Sequence, residues 1–208
     1  MPKGNAKPLV EPRHPTIAVS DAFMGACCVY SALMAPLPRV SALGFGAVGA
    51  ACFAGVLRFG LAPEVFRPYN EQLAAFAGRV GIPLIGLGFI GASGSSAARL
   101  AFPLSDFEVL FALAVLCAAS QCWPAPAQEL YTTVVSGAGL AGVAHWGHHA
   151  GNDPLALGGV ALFLLGGLVI GPERDIYTLG VRNENLFHYV CGGALLMMTT
   201  AFAAAASS

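Results

Sequence analysis

Along its length the chain is a succession of apolar blocks, each long enough to cross a bilayer, with short polar breaks between them. The blocks fill the region from Thr16 to Ala205 and run approximately 17–35, 40–57, 73–92, 107–123, 130–147, 155–171 and 186–205. A spanning helix needs roughly 20 apolar residues, with a range of about 17–25. The pattern predicts an all-α, polytopic membrane bundle of about seven transmembrane helices. Several blocks lie near the short limit, and the fourth is the weakest of them. Proline marks most of the breaks: Pro36, Pro38, Pro63, Pro68, Pro103, Pro124, Pro126, Pro154 and Pro172. It cannot continue a helix but suits its first turn.

Composition agrees. Of 208 residues, 56% are hydrophobic and only 10% are charged, with a mean hydropathy of +0.69. A soluble domain is about 25% charged, so this chain has too little polar surface to cover itself in water. Its length leaves room for a polar tail over residues 1–15 and one helical membrane domain over residues 16–208. The tail has no apolar core of a signal peptide, so the first span is expected to serve as the insertion signal. A net charge of −1 argues against nucleic acid as a partner. The expected partners are membrane lipids, a second copy of the chain or a larger membrane complex.

Charge placement orients the bundle. Seven spans put Lys3, Lys7, Arg13, Arg58, Arg67, Arg79, Arg174 and Arg182 on the N-terminal side, against Arg39 and Arg99 on the other. Basic residues stay on the cytoplasmic side. The N-terminus is therefore expected in the cytoplasm, or in the matrix or stroma of an organelle, and the C-terminus on the opposite side. Small residues one turn apart, Gly46-Ala50-Ala54, Ala138-Gly142 and Gly167-Gly171, are expected to let helices approach closely. The six cysteines form no C-x-x-C pair and read as small buried hydrophobes.

Ionisable groups within spans are costly and so are candidate functional residues. On the cytoplasmic side Asp21, Arg79 and His188 fall at similar depth, about 5–10 Å in by helix rise. A pair between Asp21 and Arg79, supported by Thr132 and Tyr189, would make an ion or proton entry site with His188. On the opposite side the fifth span ends in AHWGHHAGND. His145 and His149 share a helix face, His148 lies beside them and Asp153 follows, a donor set compatible with a transition metal. Asp106 and Glu108 open the fourth span on that side, Glu108 being a further ion-site candidate.

His145-Trp146-Gly147-His148-His149 reads as H-x-x-H-H and resembles the histidine box of fatty-acid elongases and membrane desaturases over these five residues. The di-iron site of desaturases needs several such boxes, and five histidines, one of them His14 in the tail, cannot build it. The further Lys, Glu, Asp and Gln motifs of elongases are absent. His145 to His149 also resembles the H-x-x-x-H of seven-helix zinc hydrolases of the ceramidase and adiponectin-receptor type. There it lies on the last helix, and here on the fifth. No catalytic role is carried over from either family. Three functions are compatible with the sequence: a channel or transporter for protons, ions or a small solute, an accessory or scaffold subunit, and a lipid-modifying enzyme using the histidine cluster.

Overall fold

A computed structural model describes residues 13–34, 36–93, 106–150, 153–171 and 176–207. These form seven helices in the order the apolar blocks predict. Helix α1 is Pro15–Met34 and α2 is Arg39–Gly60. Helix α3 runs over Pro63–Ala92, with a π-helical turn at Ala77–Gly81. Helix α4 is Asp106–Ser120 and α5 is Ala125–Ala150. Helix α6 is Asp153–Leu164 extended by a π-helical run Leu165–Ile170, and α7 is Asn183–Ser207. Proline starts α1 and α3, where its fixed φ fits and its missing N–H costs nothing.

Both π-helical runs have local causes. Pro83 lacks an N–H, and its ring would strike the carbonyl four residues back, at Arg79. Widening the turn at Ala77–Gly81 lets α3 continue past it. The second run, LGGLVI, contains two glycines and ends where the Gly171 N–H meets the Gly166 carbonyl at 2.9 Å. The chain then leaves through Gly171 at φ 70° and ψ 161°, a positive-φ backbone conformation that favours glycine.

Between α6 and α7, residues 177–182 fold as a small hairpin. Strands β1 (Tyr177–Thr178) and β2 (Val181–Arg182) are antiparallel and pair Tyr177 with Arg182 and Thr178 with Val181. Leu179 and Gly180 turn it with φ of 54° and 78°, both positive as the tightest hairpin turns require. Asn183 pins this hairpin to the bundle: its side chain accepts from Thr178 at 2.7 Å and donates to the Ile170 carbonyl at 2.8 Å.

The helices alternate in direction. Three contacts, His14–Arg182, Ser20–His188 and Ser31–Thr199, each join residues 168 apart, so α1 and α7 lie parallel in one register. Helix α1 meets α2 in the opposite sense, with Gly25 against Cys52 and Gly60 against Ala18. Ser136 donates to the Gly78 carbonyl and Gly139 faces Ile82, so α3 and α5 run parallel. Packing then closes a ring: α1 on α2, α2 on α3, α3 on α5, α5 on α6, α6 on α7 and α7 back on α1. Helix α4 stands outside it, its Leu110, Leu113 and Cys117 against Val80 and Leu84 of α3. We call the end where α1 begins proximal and the other distal.

Four helical stretches are long and apolar enough to cross a membrane: Pro15–Leu33, Arg39–Gly60, Pro63–Ala92 and Asn183–Ser207. The count of about seven is thus met in helices but not in helices of full spanning character. Glu108–Ser120 and Pro154–Ile170 are apolar but shorter. Helix α5 has 26 residues but carries Gln128, Glu129, two threonines and three histidines. The exterior is apolar, with Leu33, Phe111, Leu168 and Val169 all more than 60% exposed.

The close approaches fall partly elsewhere than the small-residue pattern predicts. Gly46 and Ala50 face outward, and no atom lies near the position a Gly46 side chain would take. Helix α2 instead buries Gly44, Gly49 and Gly55. The tightest crossing is Gly86 of α3 on Gly139 of α5, where a Cβ on either would overlap the other helix's backbone.

Candidate functional site

Polar side chains collect inside the proximal half of the ring. Ser20 and Asp21 come from α1, Glu184, Asn185 and His188 from α7, and Arg58 from α2, and all are buried. The α1–α7 register sets the centre. His188 Nε2 lies 3.3 Å from an Asp21 carboxylate oxygen, and His188 Nδ1 lies 3.0 Å from Ser20 Oγ. With Asp21 ionised, the imidazole presents Nε2–H to it, and Nδ1 accepts from Ser20. Ser20 Oγ also lies 2.9 Å from the Ile17 carbonyl and 3.2 Å from Asn185 Oδ1. The Asp21 carboxylate rests on α2 at Gly55, where any side chain would overlap it.

Arg58 closes the proximal side. Its guanidinium donates to Asn70 Oδ1 at 3.1 Å, lies 3.6 Å from Glu71 and stacks over Phe59 at 4.9 Å. Asn70 in turn donates to the Ala51 carbonyl at 3.3 Å, tying α3 to α2.

These groups border a cavity of about 550 Å³ at the centre of the ring. All six ring helices line it, and α4 does not. Asp21, Asn70, Glu184 and His188 supply polar groups at its proximal end, and Thr132, Thr133 and Ser136 along α5. The remaining wall is mostly apolar, including Met24, Ile82, Leu140 and Phe163. Both π-helical runs reach it, one through Ala77 and Gly78 and the other through Gly167 and Leu168. Such turns are frequent at functional sites.

Distally the ring is filled. Phe89 lies 5.0 Å from Trp146 and 5.1 Å from Phe202, and Trp146 stacks on Phe202 at 5.0 Å. The three come from α3, α5 and α7 and are at most 8% exposed. Phe89 is seven residues beyond Ile82 and Trp146 six beyond Leu140, so the plug lies about 9–10 Å past the cavity by helix rise.

The sequence-predicted residues separate into three places. Asp21 and His188 meet. Arg79 is buried at the π-helical turn and faces away from them, giving a correction to the expected Asp21–Arg79 pair. Its Nε donates to Thr132 at 3.0 Å, Nη1 to Ser120 at 3.1 Å and Nη2 to Gln128 at 2.8 Å. The wide turn directs the guanidinium to the α4–α5 connection, where three neutral oxygens satisfy it. Thr132 does join a charged residue, but it is Arg79. Tyr189 is 40% exposed and packs edge-on against Phe23 instead of joining the site.

At the distal end His145, His148 and His149 are exposed. His145 and His149 rings are 4.4 Å apart by centroid, and His148 and His149 rings 5.5 Å. Among the described residues no three His, Cys, Asp or Glu side chains converge as a metal would require. The side chains of Asp153 and Asp106 lie outside the described residues, as do Lys3, Lys7, Arg99 and Arg174. Glu108 is exposed in the first turn of α4. Five of the six cysteines are buried and Cys122 is exposed, all as free thiols.

Glu184 is the main site residue that sequence reasoning did not single out. It belongs to the first turn of α7, is buried and lines the cavity. Its position four residues before His188 puts both on one helix face, a signal present in the sequence. Ser20, Asn70, Asn185 and Arg58 carried no such signal.

Chemically the cluster can hold and pass a proton between Asp21 and His188, and it can bind a polar or cationic group. It does not make Ser20 a nucleophile, because Ser20 is fully buried and is not among the described residues lining the cavity. No family model, curated protein or solved structure matches this chain.

Proposed function

We propose that the protein is a multi-pass membrane carrier that takes up a small solute from the proximal side and couples it to a proton on Asp21 and His188. The observation that carries this reading is a ring of six helices around a cavity bordered by a buried Asp–His pair and blocked at its distal end by three aromatic rings. An ionisable pair inside such a bundle is costly unless it serves an ion or substrate path. The distal aromatic plug favours a carrier open to one side over a continuous channel. In this reading all seven helices cross the bilayer. The proximal end is cytoplasmic because Arg13, Arg58, Arg67 and Arg182 gather there, while Arg39 lies at the other.

The test uses proteoliposomes loaded with a pH-sensitive dye, held under a pH gradient and challenged with small organic cations. Wild-type protein moves protons with solute. Asp21→Asn, which keeps shape and removes the charge, lowers that movement at least about tenfold while eluting like the wild type. Equal proton movement by both proteins, or none above protein-free vesicles, would sink the proposal.

A further inference from the structure

The cavity also opens sideways. Helices α5 and α6 touch at the distal end, where Gly147 faces Ala156. Proximally they part, because the π-helical half of α6 packs on α7 with Gly166 against Cys191. Between them Thr133 and Gly137 of α5 and Leu164, Gly167 and Leu168 of α6 line the cavity and are exposed on the outside of the bundle. No atom lies within 4 Å of where a side chain would begin on Gly137 or Gly167. Gly137 is 12 residues into α5, or about 18 Å along it. The gap therefore lies at mid-height of α5 and in the last turn of α6, beside the apolar outer surface that Leu168 and Val169 present to a bilayer.

The contents of the cavity select what would use such a gap. Its middle is apolar. Its proximal end presents two carboxylates, Asp21 and Glu184, and the His188 imidazole, while no lysine or arginine is among the described residues lining it. Arg58 is not among those lining residues, and its guanidinium donates to Asn70 and lies 3.6 Å from Glu71. A volume of about 550 Å³ is in the range of small-molecule sites, about 300–1,000 Å³. We infer that the cavity takes a single-chain amphiphile with an amine headgroup, which enters from the bilayer between α5 and α6. Its headgroup reaches Asp21 and Glu184, and its chain lies in the apolar chamber below the aromatic plug. This inference names the substrate of the carrier proposed above and rests on that reading for transport, though not for binding.

The experiment places the full chain in lipid nanodiscs with hexadecylamine carrying a mid-chain diazirine, and maps photo-crosslinks by mass spectrometry. The matching alcohol and carboxylic acid are the controls. The amine is expected to label Met24 and Leu140 at least about tenfold more than the acid does, from the charge of the site. Gly137→Trp with Gly167→Trp should abolish interior labelling but leave labelling of the exterior residue Phe111 unchanged. If that pair fails to fold, Gly167→Leu alone serves, with a partial loss. Asp21→Asn with Glu184→Gln should erase the preference for amine over alcohol. Equal interior labelling by all three probes, no interior labelling, or labelling indifferent to the tryptophans would overturn the inference. Interior amine labelling without amine transfer in proteoliposomes would remove the carrier reading and leave the binding site. Transfer of a soluble ammonium ion untouched by the tryptophans would do the reverse.

Discussion

The distal and proximal halves of the ring are made by the same six helices and are built in opposite ways. Distally, Phe89, Trp146 and Phe202 fill the axis with three large rings, and Gly147 on Ala156 brings α5 against α6. Proximally, two π-helical runs widen α3 and α6, and the axis holds a cavity rimmed by Asp21, Glu184 and His188. Large side chains close a ring wherever they meet at its axis. Small residues and a widened helical turn leave space there, and buried charges become tolerable beside it. One bundle thereby has a filled end and a hollow end.

Substitutions that exchange the character of the two halves test this comparison. Trp146→Ala should have the largest effect. Truncating a buried tryptophan costs about 3–5 kcal/mol, read as a lower thermal midpoint in detergent. Protein that still folds should also leak protons through the distal end in proteoliposomes. An unchanged midpoint would mean that the rings do not hold that end shut. Next is Gly86→Ala, which forces a Cβ into the backbone at Gly139. Overpacking of this kind costs about 1–3 kcal/mol, so folded yield should drop, and wild-type stability would refute the tight α3–α5 crossing.

Arg79→Met should follow. It removes three hydrogen bonds that fasten α4 and the start of α5 to the π-helical turn. Orphaned buried partners cost about 1–3 kcal/mol, and the lower end is expected because Ser120 and Thr132 keep their bonds to the Cys117 and Gln128 carbonyls. Hydrogen exchange should quicken in α4 and leave α1 and α7 unchanged. Faster exchange in α1 would place Arg79 with Asp21 after all. The smallest effect belongs to Leu179→Asn at the proximal hairpin. Leucine holds a left-handed conformation there that asparagine adopts more readily. The gain should be under about 1 kcal/mol, visible as a slight rise in thermal midpoint, while a fall would contradict the turn geometry.

Much of the fold was legible in order and little of it in arrangement. Proline and the apolar blocks locate most helix boundaries to within about five residues, but they miss the first ten residues of α3, because Glu64, Arg67, Asn70 and Glu71 make that segment too polar to join an apolar block. Depth counting puts Asp21 and His188 at one level, and the structure joins them. The same counting offers Arg79 as partner to Asp21, since depth fixes height along a helix but not the direction a side chain takes around it. The π-helical turn decides that direction. It follows from Pro83 only when the ring clash with the preceding turn is considered together with the packing that absorbs it. The outward-facing Gly46 and the buried Gly44 differ in the same way: both are small, and only the neighbour chosen by the ring distinguishes them.

By itself, then, the sequence determined the apolar character of this protein, the order of its helices among the described residues, and the residues that carry its charges. Those depend on apolar content and on backbone rules that act over a few residues. The tertiary structure alone decided that six helices close into a ring and one stays outside. It also decided that the histidines of α5 stand apart on the surface while Glu184 turns inward, and that a cavity remains at one end. Each of these depends on which helix faces are brought together, and that is settled by packing between residues as far apart as Ser20 and His188.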